Sequence, residues 1–389
     1  MGIHRVFLIV FDGVGIGALP DAARFGDQDS NTLVNTARAV TGLSVPFLQS
    51  MGIGNLAPIA GVPPARRATG AYGVMGEASA GKDTLTGHFE MTQLVVASPF
   101  PVFPGGFPAD LIRRFEDAIG RRTLGNKPAS GTVIIEELGP EHLATGYPIV
   151  YTSADSVFQV AAHTDVVPLE ELYGFCRTAR SLLRGEYAVA RVIARPFTGR
   201  PGSFKRTSER RDFGLEPPGP SSLDRLAGSG KRVWGIGKIE DIFSGRGLTD
   251  RRHTTNNAET LAFLLELVKR DFSGLVFANC GDFDTLYGHR NDPVGFARAL
   301  SEADRSLADL FVLLKKEDLL IVTADHGCDP TTASTDHSRE YVPLIVAGLQ
   351  VRPGPLGTRS TFADVGATVE ELLLGESPGP GTSFARQIL

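Results

Sequence analysis

The sequence predicts an α/β protein, a mostly parallel sheet sandwiched by helices, with a smaller α/β domain inserted into it. Three observations predict this. Short, uninterrupted apolar runs recur near both ends of the chain, as expected of strands covered on both faces. Segments with helical period lie between the later runs, and such alternation builds a parallel sheet with helices on both sides. A central stretch, bounded by proline-rich punctuation, has strands and charge of its own.

Val6-Phe-Leu-Ile-Val-Phe11 reads as the first strand and runs directly into Asp12. Pro99 to Pro108 reads as a hinge-like segment and Glu216-Pro-Pro-Gly-Pro220 as a second one. Between them, Tyr147 to Tyr151 and Ala188 to Ala194 look like strands of the inserted domain. The expected division is therefore a core of 1–98 with 217–389, and an insertion of 99–216. Asn257 to Lys269 predicts a helix capped by Asn256 or Asn257. Gly274 to Asn279, Leu319 to Thr323 and Val342 to Val346 predict further strands. Pro293 to Lys316 predicts a helix with proline in its first turn. Sites in such sheets lie beyond the carboxyl ends of strands, which puts Asp12, Asp284 and Asp325 on one rim.

The chain has 389 residues, enough for about two domains of ~150 residues each. A hydrophobic fraction of 42% supplies a sizeable core, and a net charge of -5 argues against non-specific nucleic-acid binding. No apolar run approaches the ~20 residues needed to span a bilayer, and no basic-apolar leader precedes Asp12. Cys176, Cys280 and Cys328 are odd in number and far apart. They read as reduced thiols of a cytoplasmic protein rather than a disulfide framework.

The chemistry concentrates in the last third: Asp284-Thr-Leu-Tyr-Gly-His289, Thr323-Ala-Asp325-His326-Gly327 and Asp336-His337-Ser-Arg-Glu. A lone Asp-His pair is more often a polar loop. Several such clusters, holding three of only eight histidines, point instead to carboxylate and imidazole ligands for two divalent metals. A donor set without thiolates suits Mn, Zn or Mg in a catalytic site. Cys328 reads as a buried inert thiol. Gly81-Lys-Asp-Thr84-Leu-Thr86-Gly-His88 supplies hydroxyls that a divalent cation could activate; by itself this segment would read as an ordinary capped helix start. Lys82 lacks the glycine spacing and the following Ser/Thr of a phosphate-binding loop. Gly13-Val-Gly15-Ile-Gly-Ala18 fits a loose dinucleotide fingerprint, but Pro20 interrupts the helix that should follow. The glycines read as a tight turn beside Asp12. The insertion is rich in arginine: Arg177, Arg180, Arg184, Arg191, Arg195, Arg200, Arg206, Arg210 and Arg211. Any one of them is most simply a solvated surface residue, whereas two or three together could grip an anion.

With these segments in hand, the chain resembles the bacterial phosphopentomutase family of the alkaline phosphatase superfamily over nearly its whole length. The resemblance rests on Phe11 to Gly17, Gly81 to His88, Tyr151 to Val157, Gly235 to Ile239, Asp284 to Arg290 and Asp329 to Tyr341. It is most specific from Thr323 to Pro343. It implies an alkaline-phosphatase-like fold with an inserted cap. Asp12, Asp325 and His326 would hold one metal, with Thr84 bridging toward it, and Asp284, His289 and His337 would hold the other. The metals would be two divalent ions, most often Mn2+. Thr84, rather than Thr86, would carry the phosphoryl group. Ser153, Asp155 and Val157 would face the sugar, and Arg191, Arg206 and Lys238 would bind its distal phosphate. The implied reaction interconverts (deoxy)ribose 1-phosphate and 5-phosphate through a pentose 1,5-bisphosphate, primed by a trace sugar bisphosphate as activator. The implied partner is a small phosphosugar, with no nucleic acid, membrane or obligatory protein partner. Rival readings are a phosphatase or phosphodiesterase on the same scaffold, a serine-dependent phosphoglycerate mutase, a metal-binding protein without chemistry, and a nucleic-acid module built on the arginines. Threonine at position 84 and the arginine-rich insertion favour the mutase.

Overall fold

The computed structural model describes residues 2–153 and 155–389. Its contacts divide the chain into two units, Met1–Pro99 with Pro217–Leu389, and Phe100–Glu216.

The first unit is built on an eight-stranded sheet. Its strands run in the order Asp250–Arg252, Arg232–Ile236, Gly274–Cys280, Arg5–Phe11, Asp318–Thr323, Val342–Ala347, Ala71–Met75, Gly354–Arg359. The three at the centre are buried at every position, which is what their uninterrupted apolar runs require. Arg5–Phe11 lies parallel to both neighbours, with Arg5 opposite Gly274 and Asp318, and Phe11 opposite Cys280. The carboxyl ends of these strands are therefore level, and the segments after Phe11, Cys280 and Thr323 leave from one rim.

Arg5 fixes that level from the opposite end. Its guanidinium meets the Asp318 carboxylate through two bonds, Nε to Oδ1 at 2.7 Å and Nη2 to Oδ2 at 2.6 Å. Nη1 donates to the carbonyls of Val268 and Arg270 at 2.9 and 2.5 Å. Such a fork is more directional than a single charge pair, so it pins strand register as well as neutralising charge.

Val342–Ala347 departs from expectation. Its run is as buried as the central strands, yet it is antiparallel to both Asp318–Thr323 and Ala71–Met75. Continuous burial reports that both faces are covered and carries no information about direction. The helix Asn257–Leu267 is capped by Asn256, whose side chain accepts from the Glu259 N–H, and it stops short of Lys269. Pro293–Leu313 starts with proline in its first turn and is capped by Asp292, which accepts from the Gly295 N–H. It ends before the Lys315-Lys316 pair included in the expected helix.

The second unit carries a sheet ordered Leu124–Pro128, Ile149–Thr152, Val157–His163, Arg191–Thr198, Lys205–Arg206, with Arg211–Gly214 also paired to Arg191–Thr198. One face packs Phe115, Phe158, Val160, Phe175 and Val192 into a core; the other packs Ile134, Ile149, Ala161, Phe197 and Phe204. The strand expected from Ala188 begins instead at Arg191, because Val157–His163 pairs in parallel from that residue onward. The strand expected from Tyr147 begins at Ile149, after Pro148, which has no N–H to give a ladder.

Candidate metal centre

The candidate ligands sit where the central strands end. Asp12 is the first residue past its strand, and its N–H donates to the Cys280 carbonyl at 3.2 Å. Gly13 follows at φ 80°, and its N–H donates to Asp325 Oδ1 at 3.1 Å. A Cβ at Gly13 would press on Cys328 and Asp284, so this turn needs glycine for both conformation and space. At Gly15 the space is taken by the buried Glu340 carboxylate. Glu340 accepts from the N–H groups of Gly17 and Thr32 and from the hydroxyls of Thr32 and Ser338.

Asp284 lies in a single π-turn, Phe283–Tyr287, and His289 in the 3-10 turn Gly288–Arg290 that follows. Wide turns of this kind recur at functional sites because they re-aim side chains that an α-helix would place elsewhere. Asp325 and His326 follow the strand Asp318–Thr323 after one residue, Ala324. His337 sits on the returning arm, held by paired main-chain bonds between Gly327 and Ser338.

Distances among these groups are short. His326 Nε2 lies 3.3 Å from Asp12 Oδ1 and 3.3 Å from Asp325 Oδ2. Asp284 Oδ1 lies 3.2 Å from His289 Nε2 and 3.3 Å from His337 Nε2. Potential ligand atoms of Asp12, Asp325 and His326, and likewise of Asp284, His326 and His337, all fall within 4.8 Å of one another. Yet Asp12 Oδ1, Asp284 Oδ1 and Asp325 Oδ2 are buried without a hydrogen bond of acceptable geometry. Buried carboxylate oxygens are normally satisfied, and atoms that converge without bonding one another are placed for a cation. The imidazoles agree. The Nδ1 of His289 lies 2.6 Å from the Thr335 carbonyl and that of His326 lies 3.0 Å from the Gly327 carbonyl. A carbonyl can only accept, so each Nδ1 carries a proton and each Nε2 is the ring nitrogen left facing the carboxylate oxygens. The residues present therefore fit divalent metal.

The local field is strongly negative. Burial alone would raise Asp12, but Lys238, with Nζ 2.8 Å from its Oδ2, holds the carboxyl below its usual range. Asp284 is likewise held low against burial, by His337 and His289. His326 is pushed up despite burial, by Asp325 and Asp12. Lys238 also lies 3.8 Å from Asp284 Oδ2 and so faces both carboxylates. Cys328 completes a third possible group with Asp284 and His289. Burial and the neighbouring Asp284 and Asp12 push its thiol far up.

Thr84 opens the helix Thr84–Met91, and its Oγ1 lies 3.2 Å from His326 Nε2. Asp83 caps this helix by accepting from the N–H groups of Leu85 and Thr86. The buried Thr86 hydroxyl is consumed in the same capping box, donating to the Asp83 carbonyl at 2.9 Å and accepting from the Asp83 N–H at 3.3 Å. Of the two hydroxyls, Thr84 alone points at the ligand cluster, and it does so at a helix N-terminus, which favours anions. Two buried residues that sequence reasoning passed over support it. His88 Nδ1 donates to the Thr84 carbonyl at 2.9 Å, while its Nε2 meets Asn279 Nδ2 at 3.2 Å. Asn279 Nδ2 in turn donates to Asp12 Oδ2 at 3.1 Å. The available signal for His88 was its place four residues after Thr84, on the same helix face.

In the unit Phe100–Glu216, Asp155 is exposed and Ser153 Oγ accepts its N–H at 3.3 Å. Val157 is buried, its N–H given to the Asp155 carbonyl and its carbonyl accepting from Thr152 Oγ1. Arg191 lies 3.9 Å from Asp155 and 3.8 Å from Asp212. Arg206 lies on the exposed two-residue strand Lys205–Arg206; a Cβ at Gly131 would strike both its guanidinium and the Tyr151 hydroxyl. That hydroxyl is buried beside Arg195 and Arg206, without a hydrogen bond of good geometry. Burial and the neighbouring Arg210 and Arg206 bring Arg195 down to about 10, the mark of crowded positive charge. Arg195 stands four residues after Arg191 on one strand, hence on the same face. Lys238 belongs to the other unit, beside Asp12.

Known proteins resemble this chain at three levels: a family model, whole-length relatives and solved structures. The Metalloenzyme superfamily profile matches residues 226–376. A protein named phosphopentomutase in Carboxydothermus hydrogenoformans is 60% identical over 387 residues, covering 99% of this chain and 100% of that protein. One of the same name in Acetivibrio thermocellus is 55% identical over 388 residues, covering 100% of both. Among solved structures, the phosphoglycerate mutase of Leishmania mexicana aligns with TM-score 0.52 at 14% identity, covering 98% of this chain and 97% of that one. The PH0037 protein of Pyrococcus horikoshii aligns with TM-score 0.51 at 16% identity, covering 97% and 99%. At such identities these two structures speak for the fold alone, a mixed α/β architecture shared along nearly the whole chain.

Proposed function

The chain belongs to the phosphopentomutase family, and from that premise we propose that it interconverts (deoxy)ribose 1-phosphate and (deoxy)ribose 5-phosphate through a phosphorylated Thr84. As a family member it is an isomerase, a mutase that moves a phosphoryl group within its substrate. The observation that carries the finer reading is Thr84 Oγ1 at a helix N-terminus, 3.2 Å from His326 Nε2 and beside carboxylate oxygens that lack partners.

Asp12, Asp325 and His326 would hold one divalent cation, and Asp284, His289 and His337 a second; manganese suits this set of oxygen and imidazole donors. Bound there, the cations would acidify hydroxyls and neutralise charge on the transferring phosphoryl group. Phosphorylated Thr84 gives its phosphoryl group to the free hydroxyl of the pentose monophosphate: the Thr84 Oγ1–P bond breaks, the sugar O–P bond forms, and the proton of the sugar hydroxyl ends on Thr84 Oγ1. The pentose 1,5-bisphosphate so formed returns its other phosphate to Thr84. A trace sugar bisphosphate primes the enzyme. Lys238 offers fixed positive charge that meets developing negative charge without reorganisation. Ser153, Asp155 and Val157, from the inserted cap, are read as sugar contacts, and Arg191, Arg206 and Lys238 as ligands of the distal phosphate. The buried Tyr151 hydroxyl, with Arg195, Arg206 and Arg210 around it, supports anion binding there. The reading places the enzyme in the cytoplasm, acting on a small phosphosugar without an obligatory protein partner.

The test is an assay with ribose 1-phosphate, Mn2+ and a catalytic trace of sugar bisphosphate, following ribose 5-phosphate and inorganic phosphate together. Ribose 5-phosphate without phosphate release, lost in Thr84→Ala, is the expected result. Phosphate release without isomerisation would make the protein a phosphatase on this scaffold.

A further inference from the structure

We propose that Arg339 is a positioning residue for phosphoryl transfer, fastening the segment that delivers Thr84 to the segment that delivers His337. The proposal rests on the reading of Thr84 as phosphoryl carrier. Arg339 is 5% exposed, and all of its guanidinium nitrogens are engaged. Nε and Nη2 donate to the Asp21 carboxylate at 3.2 and 3.3 Å. Nη1 donates to Glu77 Oε2 at 2.8 Å and to the carbonyls of Ser79 and Gly81 at 2.8 and 2.5 Å. Nη2 also donates to the Glu77 carbonyl at 3.0 Å.

The carbonyls of Glu77, Ser79 and Gly81 belong to the irregular stretch between the strand Ala71–Met75 and the helix Thr84–Met91. That stretch has no ladder to satisfy it, so side chains supply what secondary structure would: Arg339 meets these carbonyls, while Glu90 accepts from the N–H groups of Ala78 and Ser79. Its last residues are the cap Asp83 and then Thr84, so wherever Arg339 holds the carbonyls, the hydroxyl follows. At its other end Arg339 is two residues past His337, and its own N–H donates to Asp27 Oδ2 at 2.9 Å. The same Asp27 oxygen accepts from Lys82 Nζ at 3.1 Å, and Lys82 reaches Asp336 at 3.2 Å. Lys82 is thereby a second stitch between the same two segments. A flat guanidinium fork can serve two carboxylates and three carbonyls together; an ammonium cannot. Among the described residues, the bonds of Arg339 and Lys82 go to none of the candidate ligand atoms, which separates positioning from catalysis.

The experiment compares the full-length, manganese-loaded wild type with Arg339→Lys and Asp21→Asn. Asp21 is 36% exposed, so its amide variant removes part of the grip without burying a new group. Mutase kinetics are measured with and without added guanidinium ion, bound metal by elemental mass spectrometry, and hydrogen exchange in peptides covering 77–86. A displacement of about 1 Å in a reacting group costs about 10²-fold in rate, so Arg339→Lys is expected to lose about that in kcat with little change in KM. Bound metal is retained, faster exchange is confined to 77–86, and guanidinium ion restores at least about tenfold of the loss, as expected of a missing fork. Asp21→Asn shows a smaller fall in kcat with the same exchange signature. Wild-type kcat in Arg339→Lys, unchanged exchange in 77–86, or loosening spread evenly through the core sheet would overturn the proposal. Should the wild type release phosphate instead of isomerising, the mutase reading fails, while exchange in 77–86 and guanidinium rescue of that hydrolysis still judge Arg339.

Discussion

Thr84 and Thr86 stand two residues apart in one helix turn, and their alanine variants should fail in opposite ways. The Thr84 hydroxyl is half-buried and has His326 Nε2 as its partner. Its removal leaves no backbone group unsatisfied, and alanine is the better helix former by about 0.5 kcal/mol, so stability should stay within about 0.5 kcal/mol of wild type. The chemistry loses its phosphoryl carrier, and mutase activity should fall by at least about 10³-fold, roughly 4 kcal/mol of barrier. The Thr86 hydroxyl is fully buried and closes the capping box with Asp83. Thr86→Ala should cost about 1–2 kcal/mol, the usual loss for a cap with a buried group left over. It should keep most of its activity wherever it is folded. Urea unfolding gives the first quantity; the ribose 1-phosphate assay and the mass of the phosphorylated protein give the second. A folded Thr86→Ala that cannot be phosphorylated, beside a Thr84→Ala that can, would refute the assignment and the geometry behind it.

Other outcomes follow from features elsewhere. Asp318→Asn leaves the Arg5 guanidinium buried without its counter-charge and should destabilise the core by about 3–5 kcal/mol in urea; a loss under 1 kcal/mol would show the fork to be expendable. Chelation with EDTA should lower the melting temperature and excess Mn2+ restore it, since a ligand at 100 times its Kd adds about 2.7 kcal/mol; identical melting curves would argue against the buried Asp12, Asp284 and Asp325 oxygens as metal ligands. His142 is buried; its Nε2 accepts the His163 N–H at 2.8 Å and its Nδ1 donates to the Tyr147 carbonyl. Burial foremost holds its pKa below the ordinary 6.5, against the Tyr147 bond. The unfolded chain therefore binds the extra proton first, and the stability this group contributes is present above about pH 6.5 and lost as pH falls toward the folded value. Hydrogen exchange of the strand Val157–His163 should quicken between pH 7 and 5.5 beyond its intrinsic rate change, and His142→Gln should abolish that dependence. Equal protection at both pH values in wild type would remove His142 as the cause.

The sequence made some of this legible and concealed the rest for identifiable reasons. Val6 to Phe11, Gly274 to Asn279 and Leu319 to Thr323 each combine an apolar run with an acidic residue close behind, so strand and rim position could be read together. The run at Val342 gave burial but not direction, because hydrophobicity is blind to strand polarity. Arg191 could be expected in a strand, yet its start was misjudged because pairing with Val157–His163 overrode local propensity. Arg5 and Asp318 lie 313 positions apart, and no local pattern links them. Lys238 was grouped with the arginines as an anion ligand, and its pairing with the distant Asp12 and Asp284 lay outside any local pattern. Arg339 was visible only as one letter between His337 and Glu340, because what distinguishes it is the set of distant carbonyls it meets.

The order of the central strands also bears on how the protein is made. Arg5–Phe11 leaves the ribosome long before its partners, which begin at Gly274 and Asp318. At about 5–20 residues per second, the segment Val6 to Phe11 waits on the order of 10–50 s before its first neighbour exists. Throughout that interval an uncharged stretch of β-branched and aromatic residues has nothing native to pair with, the composition that favours intermolecular strand stacking. Yield in a heterologous host should therefore depend on translation rate and on chaperones that shield nascent amino-terminal segments more than on the stability of the finished fold.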